Sequence, residues 1–439
     1  MARIKPCILI LLVVLLLTSC QTSKGTSKQK NGIETEPASE QAQTQAQSQT
    51  QSAKHQSKSN PKEKEPNIVS ASMIAVGDNL IHAPIYTQAE NRAKAAKLEN
   101  KNEEIPKYLF DSAYSELLPF VELADFAFIN QETLVAPSFP PSTYPRFCSP
   151  KEMGDFVLNS GFNMISIANN HMLDKDEGGL RDSLNYWKKQ DKAIVSGAFF
   201  DKEDMNTVRI IEKNGIKLGF VAFTSSLNGL SLPEKSNLQI GHANNEAQLE
   251  KMIKDAKSQS DLVVVSAHWG EEYKTKPNKT QTELAQKLAD WGADIIIGTH
   301  PHVLQTIEEL RASDGRRVLV AYSLGNLISS QNEGQRVIGG LLSLLIEKNL
   351  DTGETQFSNV SLLPLVTNYG NGFANIGIYP ITKYTPDLAS RHGVKRFTNN
   401  FNYNYILKQA QDIIPAKYLI LPETLFTNSP LRYQVWIMR

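Results

Sequence analysis

Residues 262–273 read Leu-Val-Val-Val-Ser-Ala-His-Trp-Gly-Glu-Glu-Tyr, an apolar run that ends on a histidine, a tryptophan and two acids. The aliphatic stretch Leu262 to Val265 predicts a short buried strand. That places His268 at the strand's lip. One such histidine is uninformative, because a lone buried histidine is usually a hydrogen-bonded structural residue. It gains meaning only if other polar residues reach the same lip from elsewhere in the chain.

Working outward from this stretch, the pattern repeats. "MIAV" is followed by Gly77 and Asp78, with His82 four residues after Asp78. "FAFI" leads into Asn130-Gln131-Glu132, and "MISIA" into Asn169-Asn170-His171 with Asp174 nearby. "DIIIG" is followed by Thr299-His300-Pro301-His302, and "VLVAYS" by Asn326 after Leu324-Gly325. Five of the eight histidines occupy these positions; His55, His242 and His392 do not. Taken singly, Asn170 would be a turn or cap residue and Asp78 a helix cap. Taken together, polar residues at the C-terminal ends of six strands predict one shared site, because that edge is where loops of an α/β sheet converge.

Between these strands lie segments of helical spacing, at 108–124, 150–161, 178–190, 245–256 and 280–291. "VRIIEKNGIKLGFVAFT" predicts a hairpin turning at Asn214-Gly215, and a second hairpin turns at Asp351-Thr352-Gly353. Strand–helix alternation with added hairpins predicts an α/β fold with mixed sheets. Beyond 365 the chain is aromatic and Asn-rich, with a helix expected near Asn404 to Ile413; residues 366–439 read as an appendage packed on the core.

The N-terminal part differs in kind. Arg3 and Lys5 precede the apolar run Ile8 to Leu17, and "LTSC" follows. This predicts a secretory signal over residues 1–19. "LTSC" resembles the lipobox of bacterial lipoproteins, which would make Cys20 the lipidated residue and place the body on the extracytoplasmic face of the cell membrane. Residues 20–66 are rich in Gln, Ser and Lys and read as a flexible tether. Of the three cysteines, only Cys148 would then remain, so no internal disulfide is expected. The 46 basic and 46 acidic residues balance, leaving no basic footprint for nucleic acid.

Imidazoles, carboxylates and an amide oxygen suit divalent Mn, Zn or Fe, and no thiolate set for a structural zinc site exists. The two imidazoles of His300-Pro301-His302 suit one ion or two adjacent ions, and Glu132 is placed to bridge a pair. His82, Asn130 and Asn326 are further lip residues, as ligand or pocket wall; Glu272 and Tyr273 are read as pocket wall before ligand.

"VGDNLIH", "NQET", "IANNHMLD", "HWGEEY", "GTHPHVLQ" and "YSLGN" resemble, in order, the motifs of the CapA family of poly-γ-glutamate capsule synthesis proteins. The resemblance covers about Ile68 to Leu365 and makes 67–365 one domain. That family is similar to the calcineurin-like metallophosphatases, which implies an αββα sandwich of mixed β-sheets flanked by helices and a two-metal site. Carried over, Asp78 and His302 would hold the first ion, Asn170, His268 and His300 the second, with Glu132 bridging. His171 would protonate the leaving group. Two positions depart from the metallophosphatase pattern: His82 lies four residues after Asp78 rather than two, and Asn130-Gln131-Glu132 stands where Gly-Asp is usual.

The resemblance implies a role in making, exporting or anchoring poly-γ-glutamate or a similar anionic polymer, within a membrane synthesis or export complex. Two readings stay open: a metal-dependent hydrolase of phosphoester or amide bonds, and a non-catalytic metal- or polymer-binding assembly factor. A solute-binding lipoprotein would need hinged domains, and no midpoint linker is seen.

Overall fold

The structure is a computed structural model that describes residues 66–101 and 104–424. The expected signal segment, Cys20 and all but the last residue of the expected tether lie outside the described residues, as do residues 425–439. Among the described residues no helix is long and apolar enough to cross a membrane.

The strands in chain order are β1 (Ile68–Asn79), β2 (Phe126–Asn130), β3 (Met164–Ser166), β4 (Ile194–Ser196), β5 (Ala198–Phe199), β6 (Arg209–Lys213), β7 (Ile216–Thr224), β8 (Gln239–Ile240), β9 (Leu262–His268), β10 (Ile295–Thr299), β11 (Ile307–Arg311), β12 (Arg317–Ala321), β13 (Asn326–Ile328), β14 (Ile338–Asn349), β15 (Thr355–Asn368) and β16 (Gly377–Pro380). The helices are α1 (Ala83–Glu99), α2 (Asp111–Tyr114), α3 (Leu118–Glu122), α4 (Lys151–Asn159), α5 (Asp176–Lys188), α6 (Lys202–Asn206), α7 (Glu246–Lys257), α8 (Lys279–Trp291), α9 (Pro386–Arg391) and α10 (Tyr403–Ile413).

Two mixed sheets pack face to face. The first runs β16-β15-β14-β1-β2-β3-β4, with β13 also pairing β1; the second runs β11-β12-β10-β9-β7-β6. β1 to β4 are mutually parallel, as are β12, β10, β9 and β7. The outer members β14–β16, β11 and β6 are antiparallel. Side chains of β9 alternate as a strand requires. Leu262 and Val264 join the core between the sheets, where Phe128 and Phe220 meet edge to face at 6.0 Å. Val263, Val265 and Ala267 turn outward onto α7 and α8 through Leu249, Ile253, Leu284 and Leu288. On the far side, α4 and α5 bury Val157, Leu180 and Trp187 in the first core. The fold is the mixed α/β sandwich flanked by helices that the sequence predicts.

Local differences have local causes. The expected helix over 108–124 is two short helices, α2 and α3, because Pro119 has no amide hydrogen to continue the first. The sequence reading passes over α1 altogether: its buried residues are Ile85, Ala89 and Ala93, and alanines make a faint apolar stripe. β15 runs through position 365, and β16 adds an edge strand to the first sheet from beyond it.

Close approach fixes two backbone positions at the site end. A Cβ on Gly77 would lie 1.9 Å from Gly325 O, and the two glycines let β1 meet β13 where Asp78 pairs with Asn326. Gly325 itself has φ 64°, which glycine adopts without strain.

Candidate metal centre

All the strand ends singled out above converge on one side of the sandwich. Asp78 comes from β1, Glu132 from the turn after β2, Asn170 and His171 from the turn after β3, and His268 from the end of β9. His300 and His302 follow β10, and Asn326 opens β13. Every one of these residues is buried. The parallel registers Thr224↔His268 and Thr299↔His268 place β9 between its neighbours at that edge.

Asp78 Oδ2 lies 3.1 Å from His302 Nδ1 and accepts the His300 amide at 3.3 Å; its Oδ1 accepts Asn130 Nδ2 at 2.8 Å. His268 Nε2 is 3.0 Å from Asn170 Oδ1, while Thr299 Oγ1 sits 3.0 Å from its Nδ1. Asn326 Oδ1 is 3.1 Å from His302 Nδ1. Glu132 lies between: Oε1 is 3.8 Å from His268 Nε2 and 3.7 Å from His302 Nε2. Both Glu132 oxygens and His300 Nδ1 are buried with no hydrogen-bond partner.

This geometry fits divalent ions. Two protein ligands on one ion with bonds of about 2.1 Å stand roughly 3–4 Å apart, which is the spacing seen around Glu132. Ligand atoms of Glu132, His268 and His300 lie within 4.8 Å of one another, as do those of Asp78, Glu132 and His302. Glu132 belongs to both sets, the position a bridging carboxylate would take. A third set joins Glu272, His300 and His302.

The electrostatics agree. Burial, then the neighbouring imidazoles His300 and His302, drives the His268 pKa well below its ordinary value. Burial and His302 likewise take His300 down to about 4. Both rings are therefore neutral at neutral pH, the form that ligates. Burial, and then the Asp78 charge, holds the Glu132 carboxyl well above its usual range. Burial opposes charge on His302 too, yet the Glu132 and Asp78 carboxylates raise it to about 9. The cluster thus draws in a positive charge.

Other residues take different places. His171 Nδ1 is 2.8 Å from Asp174 Oδ2, and its ring stands edge-on to Phe147 at 4.7 Å. His82 is not part of any of the three ligand sets; its Nδ1 lies 3.1 Å from Leu80 O, and burial lowers its pKa to about 4. Asn130 holds Asp78 in place, with its Oδ1 unpartnered. A cavity of about 490 Å³ opens over the cluster, walled by His82, Tyr144, Arg146, His171, Tyr273 and Gln331 among others. Thr299, which faces His268, was read only as the first residue of its strand-end run, and Arg336, whose guanidinium stacks 3.4 Å from the Tyr273 ring centre, escaped the sequence reading. Thr299 directly precedes His300 and had a local signal; Arg336 had none.

The buried carboxylate shared by two imidazole sets, at the strand ends of a two-sheet sandwich, defines a protein with a candidate metal centre. The sequence signature described as "Bacterial capsule synthesis protein PGA_cap" matches residues 72–331, which include every residue of the centre, and the chain belongs to that family. Among curated relatives, PGA biosynthesis protein CapA of Bacillus subtilis (strain 168) is 31% identical over 212 residues, covering 48% of this chain and 54% of that protein. This chain thus spans about half the length of that relative. Capsule biosynthesis protein CapA of Bacillus anthracis is 28% identical over 295 residues, 62% of this chain and 70% of that protein. Solved structures with weaker likeness include a phosphatase from Mycoplasma pneumoniae, at TM-score 0.40 and 14% identity, covering 68% of this chain and 94% of the other. A putative 5'-nucleotidase from Staphylococcus aureus has TM-score 0.41 and 15% identity, covering 67% and 54%.

Proposed function

We propose that this chain is a metal-dependent hydrolase acting in capsule biosynthesis on poly-γ-glutamate or a similar anionic envelope polymer. In this reading lipidated Cys20 tethers it to the extracytoplasmic face of the membrane, beside a synthesis or export complex. The family description, the names of its two curated relatives and the "LTSC" stretch support the setting. The observation that carries the hydrolase is Glu132, buried with both oxygens unpartnered between two imidazoles.

Two divalent ions of Mn, Zn or Fe would be held by Asp78, Glu132 and His302, and by Glu132, Asn170, His268 and His300. When bound they supply Lewis acidity toward a phosphoryl or carbonyl oxygen. The protein's own contribution is proton transfer and positioning. Asp174 holds His171 through Nδ1, which leaves Nε2 to give a proton to the departing atom. Thr299 orients His268, and Asn130 and Asn326 orient Asp78 and His302.

A metal-dependent binding factor without turnover is the second reading. It is favoured by Asn130-Gln131-Glu132, which stands where the metallophosphatase pattern has Gly-Asp. Metal analysis tests the centre: the purified chain carries one or two divalent ions, and His268→Ala with His300→Ala removes at least one. Equal metal in both proteins, or none in the native chain after loading, overturns the proposal. Turnover of phosphoesters or γ-glutamyl polymers by the loaded protein separates enzyme from binder. Cys20→Ala is expected to free the protein from the membrane fraction or leave it unprocessed; unchanged lipid labelling removes the anchor.

A further inference from the structure

The centre has one more carboxylate within reach than the two Glu132-sharing sets use. Glu272 is exposed at the cavity wall, and its carboxylate comes within 4.8 Å of ligand atoms on both His300 and His302. The three form a two-histidine, one-carboxylate set, a donor combination suited to first-row divalent metals. His300, 9% exposed, has a buried Nδ1 with no partner, so one imidazole of this set carries an unused ligand atom.

The segment bearing Glu272 is tied to the histidine loop. The Tyr273 amide donates to Pro301 O at 2.7 Å, directly between His300 and His302. The Tyr273 ring stands 6.0 Å from the His302 ring, and the Arg336 guanidinium covers it at 3.4 Å. Arg336 is tied in turn to the centre, because its carbonyl accepts Asn326 Nδ2 at 2.8 Å. Tyr273, His300 and His302 all have left-handed backbone, with φ of 66°, 95° and 58°. Such strain in non-glycine residues persists only where the surroundings enforce it.

We propose that Glu272 is a solvent-side metal ligand, which reaches the ion that His302 shares with Asp78 and Glu132, beside His300, and sets how firmly that ion is retained. This rests on the two-ion reading above. The ion beside Glu272 has a ligand on the solvent side, whereas the remaining ligands are all buried; the two ions therefore differ in affinity and exchange.

The test is titration of the full-length, metal-stripped chain with Mn²⁺ or Zn²⁺ by calorimetry, with bound metal counted by elemental analysis. For Glu272→Gln one of two binding steps weakens about tenfold or more, the other stays as in the native chain, and the variant melts as a folded protein because Glu272 is exposed. Glu132→Gln weakens both steps. A Glu272→Gln titration identical to the native one overturns this inference and leaves the two-ion centre standing. A native chain that takes up no ion overturns the centre itself, and this inference with it.

Discussion

Two groups of buried imidazoles in this molecule are equally hidden and differently finished. His392, 3% exposed, has both ring nitrogens used: Nε2 is 3.0 Å from Thr367 O, and Nδ1 accepts the Val394 amide at 2.9 Å. Tyr369 and Phe401 stand edge-on to it at 4.5 and 4.8 Å. At the centre, His268, His300 and His302 are 1%, 9% and 2% exposed, yet His300 Nδ1 and both Glu132 oxygens have no partner. An unsatisfied buried polar group costs about 1–3 kcal/mol. Burial therefore does not distinguish the two places; unpartnered ligand atoms gathered within metal-binding distance of one another do.

The largest test of this contrast is catalytic. His171→Ala keeps bound metal and melting temperature but lowers turnover by about 10²–10⁴-fold, the usual contribution of a general acid. His302→Ala loses metal and turnover together. Metal content, melting and polymer production measured on both variants decide it: full polymer production by His171→Ala alongside failure of His302→Ala makes the chain a metal-dependent binder.

The next effect belongs to the satisfied histidine. Burial lowers the His392 pKa to about 4, against the Thr367 carbonyl, which raises it; only the neutral ring can accept the Val394 amide at Nδ1. The unfolded chain takes up that proton first as pH falls past about 6.5. The contribution of His392 is therefore intact above 6.5, erodes between 6.5 and 4, and the loss is complete below, at about 3 kcal/mol. His392→Asn keeps a cap acceptor for the Val394 amide and cannot be protonated there. In the metal-loaded protein, urea unfolding at several pH values should show a shallower decline for this variant across that window. Equal slopes would show that His392 does not titrate as its surroundings require.

The smallest effect inverts the usual sign. Glu132→Gln removes a buried carboxyl whose oxygens have no hydrogen-bond partner and whose ion pair with His302 is long, at 3.7 Å, so the metal-stripped variant should be more stable than the metal-stripped native chain by about 1–2 kcal/mol. It should also lose the stabilisation that metal adds. Thermal melts with and without chelator measure both. A variant less stable without metal would mean that Glu132 is held by contacts of its own.

How much of this was legible depended on the range of each signal. The turn at Asn214-Gly215 adopts φ of 52° and 77°, as an Asn-Gly pair between two strands predicts. Asn245 caps α7 by accepting from the Gln248 amide, and α7, α8 and α10 lie within a few residues of their predicted bounds. These depend on neighbours in the chain. α1 was missed because its buried stripe is mostly alanine, which hardly differs from a solvent-facing pattern. Asp174 was noticed only as a neighbour of His171; its bond to Nδ1 needed the turn's geometry.

By itself the sequence determined that apolar strands end in Asp78, Glu132, Asn170, His171, His268, His300 and Asn326, since strand periodicity and side-chain chemistry are local properties. It also carried the family's ordered motifs. Glu132 as a shared carboxylate was implied by those motifs; only the tertiary structure decided that both its oxygens stay without a hydrogen-bond partner between His268 and His302, that His82 stays outside the ligand sets, and that Arg336 braces Tyr273 beside Glu272. Those outcomes depend on separations of a few ångströms between residues far apart in the chain. They are set by how two sheets pack and where their loops cross, and no spacing along the chain encodes them.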